Sequence, residues 1–264
     1  MLHALKNLPE YLLFPAIIGP VFLIIFLSMI IPRRLMLSAE ETNSEGFDSF
    51  LAVSAAIATM LIFSLTSVDA TYNASSDNVS LEAEAIYSFD KNLELYGTAH
   101  ANDLRAILVH YADQIVKDEW KDIQTGNGNK AVDDTYEELV MAVKTFEPAS
   151  AKQEIIYREL VMLLHEIDQL RSKRISAGEA SLPSHFWTIL ILLFSALPAI
   201  ALHLKASSER LLTTSVIGFV LGILTSAILI IDGPFIGSHA ISPEPIVHII
   251  DVMRKEVPIT MLVQ

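Results

Sequence analysis

Four long apolar runs without a charged side chain are the feature that most constrains the fold of this chain. They cover residues 11–32, 49–68, 184–204 and 211–231. A helix needs about 20 apolar residues to cross the hydrocarbon core of a bilayer, and each run supplies that length. A signal peptide would have a shorter apolar region followed by a cleavage site of small residues, which the first run lacks. The runs therefore predict four transmembrane helices.

Short connections pair these four runs into two antiparallel hairpins. Residues 33–48 join the first two runs, and residues 205–210 join the last two. The segment between the hairpins is polar and charged throughout. The expected domains are an N-terminal transmembrane hairpin (1–68), a helical extramembrane domain (69–183), a second transmembrane hairpin (184–231) and a Pro-containing tail with a short amphipathic helix (232–264).

Apolar side chains in the central segment recur with the 3.6-residue period of amphipathic helices. The first predicted helix continues from the second span to Tyr96, and the second ends near Trp120. The third ends before Pro148, and the fourth begins at a capping box formed by Ser150 and Gln153. No strand-like alternation persists. The predicted fold class is all-α: a polytopic membrane protein whose four transmembrane helices, in two hairpins, flank a helical extramembrane domain.

Charge and composition exclude several classes of function. The net charge is −13, whereas a nucleic-acid-binding protein carries a basic face. The acidic central domain fits either an ordinary solvated surface or an electronegative vestibule that concentrates cations. Cysteine is absent, which excludes disulfides and thiolate metal sites. No H-E-x-x-H site, phosphate-binding Gly loop or G-x-S-x-G elbow is present, so we expect no enzyme activity, no metal site and no cofactor.

One face of the second span carries small and hydroxylic side chains that lead to a carboxylate at the membrane boundary. Such a face either packs closely against another helix or lines a water-filled path, and a boundary carboxylate is a functional hypothesis. In the second case an apolar side chain forms a constriction, and the carboxylate selects ions at the mouth. The candidate pore-lining residues are Ala55, Thr59, Ile62, Phe63, Thr66 and Asp69, with Ile62 or Phe63 at the constriction.

Two further motifs lie in and after the fourth span. Gly218 and Gly222 form a small-residue ridge that predicts close helix packing, either within the chain or between subunits. The tail then contains a motif of prolines and acidic residues, which predicts a fixed, extended corner or a simple linker into the terminal helix. The residues of this motif are Asp232, Pro234, Ser242, Pro243, Glu244 and Pro245.

The distribution of positive charge leaves the membrane orientation open. Four spans place both termini and the central domain on one side of the membrane, and basic residues near the spans favour the cytoplasmic side. The loop side carries Arg33, Arg34, Lys205 and Arg210. The domain side carries Lys6, Arg171, Lys173 and Arg174, so the count is a tie.

Several motifs also stand in a characteristic order along the chain. Residues 67–73 leave the second span, and Glu82 and Glu84 follow on the next helix. Residues 118–120 (DEW), the basic turn 171–174, the pair 182–183 and the tail motif come later. In this order and spacing the chain resembles the bacterial bestrophin-like family, which carries the domain label DUF4239. The likeness covers almost the whole chain.

The resemblance implies a distant kinship with bestrophins, oligomeric ion channels whose second span lines a central pore. It therefore implies a homo-oligomer in the cell (inner) membrane, with the lipid bilayer and inorganic ions as partners, no nucleic acid, and a central domain in the cytoplasm. Two functions are open at this point. One is an oligomeric channel lined by the second span; the other is a non-conducting membrane scaffold or sensor whose helical domain binds a partner or ligand.

Overall fold

The computed structural model describes Gly19 and residues 44–201, 204, 207–237 and 239–256 of the chain. These residues contain no strand, and their helices longer than one turn are α1 (Ser44–Tyr96), α2 (Ala99–Gln114), α3 (Lys130–Lys144), α4 (Ala151–Gly178), α5 (Ser184–Ala201), α6 (Ser208–Ile231) and α7 (Glu244–Glu256). The all-α class predicted from the sequence is confirmed. The predicted first span, 11–32, lies outside the described residues apart from Gly19, so the four-span arrangement stays a prediction.

Three of the described helices are long and apolar enough to cross a membrane. They are Gly46–Tyr96, within α1, and the whole of α5 and α6. α5 ends three residues before the predicted limit of the third span. α6 begins three residues before the predicted start of the fourth, because the Ser207 hydroxyl accepts a hydrogen bond from the Arg210 amide and caps the helix there.

The chain divides into two compact units. One contains the described residues up to Tyr72, together with Ser181–Asp232 and Gly237–His239. The apolar faces of α1, α5 and α6 form its core. Gly218 and Gly222 are buried there, so the small-residue ridge on α6 is covered by this chain. The core side chains are Phe50, Ile57, Leu61, Val68, Phe186, Leu190, Leu197, Ala201, Leu204, Leu221 and Ile228.

The other unit contains Asn73–Ala180, Gly233–Ile236 and the residues from Ala240 onward. Within it, α2 contacts α3 and α7, and α3 contacts α4. α7 supplies one apolar stripe, because Ile246, Ile250 and Met253 recur at helical spacing and are buried. The unit therefore has a core of its own, built from the predicted amphipathic faces.

Side-chain caps define where the helices of this unit begin. Thr98 and Asn129 accept hydrogen bonds from the second or third amide of α2 and α3. Ser150 caps α4 by accepting from the Gln153 amide, and the Gln153 side chain accepts from the Ala149 amide. The predicted capping box is thus present, with its return bond displaced by one residue.

The tail motif differs from the extended corner predicted for it. α7 begins at Glu244, between Pro243 and Pro245. A proline in the first turn of a helix is tolerated because its missing amide would have no intrahelical partner there. The amides of Ile246 and Val247 donate to the Pro243 carbonyl and close this first turn.

Candidate functional site

The six candidate pore-lining residues lie on one exposed side of α1. Ala55, Thr59, Ile62, Phe63, Thr66 and Asp69, here called the α1 stripe, are all exposed. Ile62 is 52% exposed and Phe63 is 72% exposed. The opposite side of the same helix is buried, with Phe50, Ile57 and Leu61 fully covered. The chain's own packing therefore leaves the α1 stripe uncovered.

The two threonines of the α1 stripe direct their hydroxyl protons to the backbone. Thr59 donates to the Ala55 carbonyl at 2.8 Å, and Thr66 donates to the Phe63 carbonyl at 2.8 Å. These bonds satisfy the donors without another chain. The hydroxyl oxygens keep acceptor capacity on the exposed surface.

The exposed side of α1 differs in composition from the exposed sides of α5 and α6. On α5 and α6 the exposed side chains include large apolar ones that suit contact with lipid tails. On α1 small residues predominate, and Ile62 and Phe63 are the large members of the stripe. The exposed large apolar residues of the other two helices are Ile189, Ile191 and Leu192 on α5, and Leu212, Val216, Phe219, Val220 and Ile223 on α6.

Acidic side chains continue the exposed side of α1 beyond the apolar segment. α1 is one uninterrupted helix from Ser44 to Tyr96. Asp69, Asp77 and Glu84 follow one another at about two helical turns, and all three are exposed. Their spacing gives the helix a row of carboxylates on the side that carries the stripe.

A buried ionic cluster occupies the core of the helical unit. Arg174 of α4 forms a fork with Glu82 of α1, with Nε 2.6 Å from Oε2 and Nη2 3.0 Å from Oε1. Its Nη2 also donates to Glu119 at 2.7 Å. Arg171 donates to both oxygens of Glu119 and, through Nη1, to Asp133 at 2.7 Å. We call Glu82, Glu119, Arg171 and Arg174 the ionic cluster.

The charges of the ionic cluster balance within the protein interior. Glu82, Glu119 and Arg174 have no exposed side-chain surface, and Arg171 has 7%. Burial alone raises the pKa of Glu119, but the hydrogen bond from Arg171 and the charge of Arg174 outweigh it, so this pKa lies below its usual range. Burial lowers the pKa of Arg174, but the partner carboxylates raise it well above its usual range. All four groups are therefore ionised at neutral pH.

Local structure brings Glu119 into this cluster. The chain after α2 continues as a π-helical turn, Ile115–Glu119, which is a single-turn irregularity often found at functional sites. The Asn129 amide donates to Glu119 at 3.1 Å. Beside it, the Trp120 ring lies 5.2 Å from the Arg174 guanidinium, in cation–π contact. Phe235 meets Trp120 edge to face at 5.7 Å.

The ionic cluster joins residues that the sequence analysis named separately. Glu82, residues 118–120, Arg171 and Arg174 were noted for their order along the chain, with no expectation that they meet. A signal was present on α4, because Leu160, Leu164 and Ile167 predict its buried side and Arg171 and Arg174 continue the same spacing. Charged residues on an apolar seam indicate buried partners.

The remaining candidate residues have structural contacts. The buried Asp232 carboxylate accepts a hydrogen bond from the Leu182 amide at 2.7 Å. The Pro234 carbonyl accepts from the Ile241 amide at 2.8 Å. Ser242 and Glu244 are exposed, and Pro243 and Pro245 are half-buried at the start of α7. Among the described residues, no group of three or more His, Asp or Glu side chains is placed to hold a metal ion.

Three apolar helices of spanning length and an all-α unit with its own core define a helical membrane protein. The model of the bestrophin-like domain matches residues 19–246, and the chain belongs to the bestrophin-like family. Its fold is similar to a crystal structure described as that of a membrane protein, with a TM-score of 0.67, 13% identity, and coverage of 94% of this chain and 99% of the other. No curated protein matches the chain in sequence.

Proposed function

We infer that this protein is a homo-oligomeric ion channel whose pore is lined by the α1 stripe. The observation that carries the proposal is the composition of the exposed side of α1, where small and hydroxylic residues stand in place of the large apolar ones on α5 and α6. Small residues let helices from neighbouring copies approach closely. A symmetric ring of α1 helices would enclose a narrow path along this side.

The order of side chains along the stripe supports a division of roles in that path. Ile62 and Phe63 are large, apolar and exposed, and a ring of such side chains forms a constriction that gates by excluding water. Asp69 lies two turns further along. It begins the row of carboxylates, which would attract cations to the mouth of the pore. We therefore propose cations as the conducted ions.

The proposal also includes the arrangement of the chain in its membrane. Residues 11–32 would supply a fourth span, so that two hairpins flank the helical domain. Bestrophin kinship supports a location in the cell (inner) membrane, with the helical domain in the cytoplasm and no enzymatic role. A protease-protection assay on sealed vesicles would test the orientation, because a cytoplasmic domain is cleaved in inverted vesicles and protected in right-side-out ones.

The second candidate is a non-conducting scaffold or sensor whose helical domain binds a partner or ligand. That reading predicted a second-span face buried against the chain's own spans, whereas the α1 stripe is exposed. The remaining route to a scaffold is a ring in which the stripes pack together without an opening. Ion flux distinguishes the two candidates.

The decisive experiment is ion flux into liposomes that contain the purified full-length chain. We expect flux from the wild type and a clear increase with Ile62→Ala, which shortens the side chain at the constriction. Ile189→Ala is the matched control, because Ile189 is 46% exposed on α5 and its loss should leave flux unchanged. No flux from the wild type and from Ile62→Ala alike would reject the channel.

A further inference from the structure

The ionic cluster connects parts of the chain that are distant in sequence. Glu82 comes from α1, Glu119 from the turn that follows α2, and Arg174 from α4. Glu82 and Arg174 are 92 positions apart, and their side chains are completely buried. Arg174 is thus the group through which α4 holds α1 by directed hydrogen bonds.

The apolar contacts of α1 in the helical unit leave its register less constrained. Its buried residues there include Val79, Ala83, Ile86, Phe89 and Leu93, which recur every three or four positions. Apolar contact is non-directional, so a row of this kind can be remade after a shift by one turn. A bidentate arginine–carboxylate pair requires two donors to meet two oxygens in one plane. The shifted arrangement cannot form it.

A second buried pair ties α1 to its sequence neighbour. Asp90 of α1 accepts two hydrogen bonds from Arg105 of α2, at 2.8 Å and 2.9 Å, across 15 positions. This pair sets α1 against the helix that directly follows it. The Glu82–Arg174 pair is the one that sets α1 against α4.

Stability alone gives little reason for a pair this deeply buried. The loss of hydration of two charges offsets most of their attraction, and well-packed apolar replacements of both partners are often neutral or stabilising. The best-attested role of buried polar groups is to specify register. The directed fork between Glu82 and Arg174 fits that role.

We propose that Glu82 and Arg174 are positioning residues for α1, whose fork sets the register and rotation of this helix and therefore the direction of the α1 stripe. The inference rests on the proposed channel function for its importance, since a turned helix presents different side chains to the pore. Its structural content is independent of conduction. Removal of both partners should leave a folded protein in which α1 is no longer held in one rotation.

Single cysteines report the rotation of α1 directly, because the chain contains no cysteine of its own. Ile62 is exposed, and its neighbour Leu61 is fully buried. We therefore compare N-ethylmaleimide labelling of Ile62→Cys with that of Leu61→Cys in purified full-length protein in detergent. In the native background, the cysteine at position 62 should react fast and the cysteine at position 61 slowly.

The test places both cysteine variants in a Glu82→Met/Arg174→Met background. This double change removes one charge of each sign, so the Glu119–Arg171 pair stays balanced. The matched control is Glu154→Met/Arg158→Met, which makes the same replacements in an exposed pair on α4. The melting temperature verifies folding, and liposome flux is measured in parallel. If the test pair fails to fold, Arg174→Lys replaces it, because lysine keeps the charge but cannot form the fork.

The expected result is loss of the labelling contrast between positions 62 and 61 in the test background, with the melting temperature retained, and a full contrast in the control. A folded test variant that keeps the full contrast would overturn the positioning role, whether or not the channel conducts. If Arg174→Lys is used, its retained contrast would overturn the role equally. Absence of flux in the wild type, with the contrast lost in the test background, would reject the channel and leave the positioning role supported.

Discussion

The Nε atom of Arg174 lies 2.6 Å from Oε2 of Glu82, and neither side chain reaches solvent. The same guanidinium also reaches Glu119, which Arg171 binds from the other side. The four fully or almost fully buried charges cancel in two pairs. Loss of any one of them therefore leaves an uncompensated charge in the protein interior.

Removal of Arg174 alone should be more harmful than removal of the whole pair. Arg174→Met leaves Glu82 buried without its counter-charge, and we expect it to lower the free energy of unfolding by about 3–5 kcal/mol. Glu82→Met/Arg174→Met restores the balance and should cost less than Arg174→Met. Circular dichroism during denaturation in detergent measures both. A double variant as unstable as the sum of its two single variants would contradict this account.

Glu119 should make the stability depend on pH at the acid end. Burial acting alone would raise its pKa, but Arg171 and Arg174 hold it below the ordinary value of 4.5. The native state therefore binds this proton less readily than the unfolded state does. The stabilisation is complete above about pH 4.5 and is lost as pH falls through the native pKa.

The variant Glu119→Gln should show this dependence in thermal melts between about pH 3 and pH 7. At neutral pH its melting temperature should be lower than that of the wild type, because Arg171 and Arg174 lose a counter-charge. Toward acid pH the two melting temperatures should converge. An acid slope as steep in Glu119→Gln as in the wild type would assign the slope to other carboxylates.

Gly178 is required by a close approach at the end of α4. A Cβ atom at this position would lie 1.8 Å from the Ile123 carbonyl oxygen, and no side-chain rotation can relieve a clash with backbone. Gly178→Ala should therefore destabilise the protein by about 1–3 kcal/mol, the usual cost of overpacking. Ser172→Ala, at an exposed position of the same helix, is the control and should be near neutral. Equal melting temperatures for the two variants would disprove the steric argument.

Copies of Thr66→Cys should form disulfide-linked dimers under mild oxidation in the membrane. A ring of α1 helices brings equivalent positions of the stripe close to one another, and a disulfide needs Cα atoms within about 7 Å. Thr188→Cys on α5 is the matched control, since Thr188 is also exposed but lies outside the stripe. Non-reducing electrophoresis measures both. Cross-linking at position 188 alone would place a different helix at the interface.

Asp69→Asn should reduce selectivity for cations without abolishing conduction. The change removes one negative charge per subunit at the proposed mouth. In a potassium chloride gradient, the reversal potential should move toward the chloride equilibrium potential. Asp251→Asn changes an exposed carboxylate on α7 and should leave the reversal potential in place. An equal shift in both variants would indicate a general effect of net charge.

The sequence predicted the all-α class and the helices of the central domain because each rests on local pattern. Apolar runs of span length, the 3.6-residue period and the caps at Ser150 and Asn129 depend on neighbours within a few positions. The period also placed the α1 stripe on one side of its helix. The start of α7 was missed, because a proline that forbids a helix interior is compatible with a first turn.

The amino-acid sequence by itself determined which segments are helical, which of them can cross a membrane, and that Ala55, Thr59, Ile62, Thr66 and Asp69 share a face. Only the tertiary structure decided that this face is left exposed by the chain. It alone also brought Glu82, Glu119, Arg171 and Arg174 together. The reason is physical: helical period is a property of neighbouring residues, whereas burial and the pairing of distant charges depend on how the helices pack.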